Sequence, residues 1–230
     1  MTTETQTAPV AAAPLLDIQG LTKVFGGLRA VSNFDLTVQR GALDGLIGPN
    51  GAGKTTVFNM ISGLYTPTSG AIWFNGENLV GIEPHEITQA GIGRTFQNIR
   101  LFPNLTVLTN VLIAYHPHAG YGLFDGLLRS RRFTAKEREM TERARDFLAI
   151  FGLERYQNEL AKNLPYGEQR RVEIARALAS DPKLLLLDEP AAGMNPAEIG
   201  RLMEYIHFIR DRFDLTILLI EHQMRLVMNI

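Results

Sequence analysis

The sequence predicts an α/β fold on a mostly parallel sheet, with hairpin strands on its N-terminal side and a helical stretch in its middle. Three observations carry this expectation. Leu43 to Ile47 is a short apolar run that leads straight into a glycine-rich loop and then into a helical pattern. Residues 184–187 are consecutive leucines, as in a strand buried on both faces of a parallel sheet. From about residue 95 to residue 179 there is little strand signal and strong helical periodicity.

Bulk properties narrow the class. A chain of 230 residues suits one domain with a lobe, or two small domains. Apolar residues make up 45% and charged residues 20%, an ordinary globular balance. Net charge is −1, from 23 basic and 24 acidic residues, so the basic excess of a nucleic-acid-binding surface is missing. The absence of cysteine removes disulfides, thiolate metal sites and cysteine nucleophiles. No apolar run approaches the roughly 18 residues of a membrane span. The N-terminus lacks the basic-then-apolar pattern of a secretory signal. Residues 1–14 are rich in Thr, Ala and Pro and read as a flexible tail. Together these point to a soluble intracellular protein.

In chain order, residues 16–25 alternate partially and read as a strand, Gly26-Gly27 as a turn, and residues 30–38 as a second strand with Val31, Phe34, Leu36 and Val38 as its apolar set. After the glycine loop, a helix from Thr55 onward places Val57, Met60, Ile61 and Leu64 on one face. Residues 69–79 read as a hairpin about Asn75-Gly76, with Trp73 packing in the hairpin or the core. Residues 115–126 read as a loop, and His116 and His118 lack the further spaced ligands that a metal site requires. The basic patch Arg129, Ser130, Arg131, Arg132 reads as a solvated loop, with lipid headgroups or a membrane partner as the alternative contact. Thr134-Ala135-Lys136-Glu137 fits a capping box, opening a helix that carries Met140, Ala144, Phe147, Leu148 and Phe151. Val172, Ile174, Ala175 and Leu178 line another helix with Gly167 at its N-terminus. Pro196 opens a helix with Ile199, Leu202, Met203, Ile206 and Ile209 on one stripe. Residues 215–220 form a further buried strand, ending at Glu221-His222. Residues 224–230 stop inside a helical pattern with no cap or breaker, so the chain reads as truncated.

The chemistry begins at Gly48-Pro49-Asn50-Gly51-Ala52-Gly53-Lys54-Thr55-Thr56, which fits G-x-x-x-x-G-K-[ST] in full. The glycines let backbone N–H groups turn inward around phosphate oxygens, and the helix N-terminus behind them adds partial positive charge. In such a motif Lys54 would reach the β- and γ-phosphates, and the Thr55 hydroxyl would ligate Mg2+. Asp188 ends the leucine strand, where a carboxylate faces the crevice in which α/β sheets bind ligands and can hold magnesium through water. Glu189, next along, is placed as the base for an attacking water. Gln97 can touch the metal or its water without adding charge. His222, at another strand end, can hydrogen-bond the γ-phosphate and hold Glu189. Phe25 precedes a Gly-Gly turn and can stack on a base. Taken singly, Gln97 is a weak signal, His222 reads as structural and Phe25 as core. The Gly167 helix end is a second anion-binding terminus, which one nucleotide cannot easily share with the first. A second chain can supply the complementary half.

The order of phosphate loop, Gln97, Gly167-Glu168-Gln169, Asp188-Glu189-Pro190 and His222 resembles the ATP-binding cassette family across the whole chain. Three segments look like the branched-chain amino-acid importers: Thr95-Phe96-Gln97-Asn98-Ile99-Arg100-Leu101-Phe102, Tyr166-Gly167-Glu168-Gln169-Arg170-Arg171, and Pro190-Ala191-Ala192-Gly193-Met194-Asn195-Pro196. Of their two kinds of ATPase subunit, it is similar to the one that carries Arg-Thr-Phe-Gln. The resemblance implies a P-loop NTPase core with a mostly parallel sheet, an N-terminal antiparallel β-subdomain and an inserted α-helical subdomain. Residues 15–97 and 166–230 would form the core and residues 98–165 the helical part. It implies ATP and Mg2+ as cofactors, a catalytic set of Lys54, Glu189 and His222, and metal contacts from Thr55, Gln97 and Asp188. Nucleotide contacts would come from Phe25, residues 48–56, Gln97, Gly167 and Glu168.

The resemblance further implies a head-to-tail dimer with a second ATPase subunit, one that differs from this chain. ATP would sit between the Lys54 loop of one subunit and the Gly167 helix of the other. Membrane permease subunits would be direct partners and a solute-binding protein an indirect one, placing the chain on the inner face of the cell membrane. Importers of urea, amides or other amino acids use similar subunits, and a soluble non-transport ATPase is a further reading. Two departures stand out. Pro165 replaces the family's usual Ser, whose hydroxyl donates to the γ-phosphate, so the ATP site completed by this helix end would be weaker than usual, and the family continues past Ile230 with more sheet. Tyr166 replaces the usual glycine, as this subtype also does.

Overall fold

The computed structural model describes residues 13–118 and 131–221. Two four-stranded sheets organise it. In the first, β1 (Leu16–Phe25) pairs antiparallel with both β2 (Leu28–Val38) and β4 (Ser69–Phe74), and β5 (Glu77–Asn78) closes the order β2-β1-β4-β5. The second sheet is parallel throughout, in the order β3 (Leu43–Ile47), β8 (Thr216–Glu221), β7 (Leu184–Asp188), β6 (Ile92–Arg94). The expected α/β architecture, with a parallel sheet and an antiparallel N-terminal one, is therefore present.

The hairpin about Asn75-Gly76 forms as expected, both residues taking positive φ (50° and 86°), the requirement of a tight two-residue hairpin turn. Trp73 lies on the outer face of that hairpin and is 38% exposed. It is no core residue, because the alternation of β4 gives the inner face to Ile72 and Phe74.

Strands β7 and β8 lie between two hydrophobic cores. Leu185 and Leu187, with Ile217 and Leu219, enter one core, while Leu184 and Leu186, with Leu218 and Ile220, enter the other. This explains why both runs are apolar without alternation. The first core gathers α3 (Val107–Leu112), α4 (Arg131–Ile150), α5 (Tyr166–Leu178) and α6 (Pro196–Phe213). The second joins α1 (Lys54–Ile61) and the α2 (Pro84–Ala90) face to the antiparallel sheet.

The helices differ from expectation in four places. Helix α1 ends at Ile61, with Gly63 at φ 72°, so Leu64 falls outside it and is 45% exposed; the buried face uses Phe58 instead. Thr134 is not a helix N-cap, because Arg131 to Phe133 are already helical. Tyr115 is not in a loop: it is buried in a short 3-10 turn, Ile113–His118. Helix α2 and strand β6 carry too few residues for a periodic signal and went unrecognised in the sequence. Of the expected tail at residues 1–14, residues 1–12 lie outside the described residues, as do residues 119–126 of the expected loop, Arg129, Ser130 and residues 224–230. No described helix is long and apolar enough to cross a membrane.

Candidate active site

Parallel register brings the C-terminal ends of β3, β8 and β7 to one edge. Ile47 pairs with Glu221 and Asp188 with Ile220, so the glycine loop and the Asp188-Glu189 pair leave the sheet on the same side. Between β3 and α1 the loop turns through Gly51 and Gly53, at φ 83° and 84°. A Cβ on Gly53 would collide with the Ala30 carbonyl oxygen of β2, so close packing as well as backbone conformation demands glycine. Lys54 lies over this loop, with its Nζ donating to the carbonyl oxygens of Gly48 (2.7 Å) and Pro49 (2.9 Å). The ammonium thus sits inside the turn that the loop describes. Thr55 is exposed in the first turn of α1, and Gly53 gives no side-chain cap, so the first N–H groups of the helix have no capping side chain.

Asp188 is buried at the end of β7. Arg94 holds its Oδ2 at 3.1 Å, while Oδ1 is buried without a hydrogen-bond partner. Burial pushes the Asp188 carboxyl above the usual aspartate range, against the pull of Arg94. Arg94 is itself fixed by a 2.6 Å bond to Ser62 Oγ and lies 4.8 Å from the Phe96 ring centre. Glu189 follows in a left-handed conformation, φ 45°. Its amide donates to Ile220 O of β8 (3.1 Å), and its Oε2 accepts from Gln97 Nε2 (2.9 Å).

The free, buried Asp188 oxygen is the kind of donor that suits a hard divalent cation such as Mg2+, to which the Thr55 hydroxyl and the Gln97 amide oxygen could be added. Among the described residues no group of three His, Cys, Asp or Glu side chains gathers. A cation here would complete its shell from water and phosphate, the usual habit of Mg2+.

Phe25 is not in the core. It ends β1 39% exposed, edge-on to Tyr65 at 5.2 Å, with Lys23 Nζ 5.0 Å from its ring centre. His222 lies outside the described residues.

Gly167 sits in the first turn of α5, whose N-cap, Pro165, makes no side-chain cap bond. Glu168 pairs with Arg171 at 2.6 Å instead of capping that end. This helix reaches the Gln97 segment through side chains that sequence reasoning did not single out. Arg170 and Glu173, both fully buried, pair at 2.7 Å and bond to the backbone of residues 96–100. Their signal in the sequence was a charged i,i+3 pair set in an otherwise apolar helix face. Arg94 had no comparable signal.

Comparison with known proteins comes to the same place. The family described as ABC transporter matches residues 31–192. The branched-chain amino acid transport ATP-binding protein LivG of Escherichia coli is 48% identical over 217 residues, covering 94% of this chain and 85% of that protein. Its counterpart BraF of Pseudomonas aeruginosa is 46% identical, with the same coverage. Among solved structures, the ADP conformation of the ATP-binding cassette MJ1267 superimposes with a TM-score of 0.81 at 31% identity, covering 95% of this chain and 85% of that one. The dimeric cassette MJ0796 bound to ADP and Pi has a TM-score of 0.78 at 26% identity, covering 93% and 90%.

Proposed function

This chain belongs to the ABC transporter family and is one of its ATPases, and we propose that its ATP hydrolysis powers an importer of branched-chain amino acids. The observation that carries the catalytic part is the common edge at which the Lys54 loop, Asp188 and Glu189 leave adjacent parallel strands. The substrate class is supported by the relatives' names, LivG and BraF, at 48% and 46% identity.

In this reading the loop amides of residues 48–56 and Lys54 bind the phosphates of ATP, and Phe25 stacks on the base. Thr55, Asp188 and Gln97 hold Mg2+. The ion, when bound, neutralises charge on the β- and γ-phosphates. Glu189 accepts the proton of a water that attacks the γ-phosphorus in line, and the Gln97 amide holds its carboxylate in place. Lys54 carries the charge that develops on the leaving oxygens. The Gly167 end of α5 completes the site of a second ATPase subunit, head to tail. Residues 98–165 form a helical part next to the core, and permease subunits hold the assembly at the inner face of the membrane.

Reconstitution tests the substrate. The chain is assembled in proteoliposomes with the permease, partner ATPase and solute-binding protein that co-purify with it. Leucine-loaded binding protein should accelerate ATP hydrolysis and drive leucine uptake. Acceleration by urea or an amide, with none by leucine, isoleucine or valine, would reassign the substrate and leave the ATPase intact.

A further inference from the structure

The fully buried Arg170–Glu173 pair has no part in the proposed chemistry, yet a buried ion pair persists only where further hydrogen bonds offset its lost hydration. Here those bonds converge on one backbone segment. Arg170 donates to the carbonyl oxygens of Phe96 (2.5 Å) and Gln97 (2.6 Å). Glu173 Oε1 accepts the Arg100 N–H at 3.1 Å. One helix therefore grips both ends of the segment that carries Gln97, through charge-assisted bonds about twice as strong as neutral ones.

Two further contacts extend the grip. At the exposed N-terminal turn of α5, Arg170 donates to the Tyr166 hydroxyl at 3.3 Å. At the other end, Gln97 Nε2 holds Glu189 Oε2 at 2.9 Å. A rigid-body shift of α5 cannot leave the Gln97 segment behind without breaking charged bonds inside the protein, and Gln97 carries the Glu189 carboxylate with it.

We propose that Arg170, seated on Glu173, is a positioning residue: it links a nucleotide met by the Tyr166–Gly167 helix end to the setting of Glu189 at this chain's own nucleotide. This rests on the reading that the helix end completes the partner's site. The two half-sites of one subunit then communicate through a single helix and a single backbone segment.

The test uses the full chain assembled with its permease and partner ATPase. The double variant Arg170→Met/Glu173→Met removes both charges together, so that neither is stranded. Its kcat should fall about tenfold, while KM for ATP and affinity for a non-hydrolysable ATP analogue stay within about twofold. Sigmoidal dependence of rate on ATP, where the wild-type assembly has it, should flatten. In a Gln97→Ala background, which already lacks the Gln97 contacts to Glu189 and Mg2+, the double change should lower kcat no further, because Arg170 acts only through the Gln97 segment. Tyr166→Phe removes a single exposed hydroxyl, leaves the fold intact and should give a smaller loss of the same kind; it carries the test if the double variant does not fold. Unchanged kcat in a folded double variant, or in Tyr166→Phe when the double variant is unfolded, overturns the proposal, as does a further fall in kcat when the double change is made in the Gln97→Ala background. A separate arm addresses the underlying reading. Gly167→Asp should abolish hydrolysis at the shared site, and full activity in that variant would remove the shared site and the link with it.

Discussion

Glu189 occupies a backbone conformation, φ 45°, that costs a glutamate of order 1–3 kcal/mol, and the β8 carbonyl at Ile220 holds it there. Strain of this kind persists where surrounding structure over-determines it, and here it places a carboxylate beside Gln97. Glu189→Gln should keep ATP binding and lose hydrolysis by about 10²–10⁴-fold, as expected for a removed general base; single-turnover assays with bound nucleotide give the figure. Tyr115 offers a stability test. Its buried hydroxyl has no hydrogen-bond partner, and burial pushes its pKa up. The folded state then keeps a proton that the unfolded state releases near the ordinary tyrosine value of about 10, so stability falls as pH rises above that value. Tyr115→Phe should raise stability by about 1–3 kcal/mol in urea titrations at neutral pH and remove this alkaline loss. Lys54, Asp188 and Glu189 were legible in the sequence because their chemistry follows from local spacing. Arg94 was not, since its partner Asp188 is 94 positions away.

Elements held to expectation where they bury a whole face and departed where they are short. The leucines of β7 are buried on both sides, so their apolar run admits one reading. Helix α6 is equally well marked, with Pro196 at its start and Asn195 accepting from the Ala197 and Glu198 amides at 3.0 Å. Asn195→Ala should cost about 1 kcal/mol, read from chemical denaturation. By contrast, α1 stops at a glycine, and the residue that fills its face is Phe58. Phe58→Ala should cost about 3–5 kcal/mol, because β-sheet residues on the other side of that core cannot follow it inward. The box-like Thr134 to Glu137 misled because any S/T-x-x-E inside a polar helix face matches the capping pattern.

The whole molecule joins two cores through β7 and β8, and its candidate nucleotide site lies at the edge where those strands end. A ligand that binds only the folded chain at a hundred times its Kd adds about 2.7 kcal/mol. For this size, ATP should therefore raise Tm by about 5–10 °C. Lys54→Ala should abolish that shift, as scanning fluorimetry with and without MgATP will show. By itself the sequence determined the fold class, the glycine loop before α1 and the place of the carboxylate pair at a strand end, since each is written in a few neighbouring residues whose spacing sets the local conformation. Only the tertiary structure decided that Arg94 grips one oxygen of Asp188, that Glu189 is strained, and that Arg170 reaches 73 positions back to the Gln97 carbonyl. Those contacts join segments far apart in the chain, and a buried charge finds its partner only after the strands and helices between them have packed.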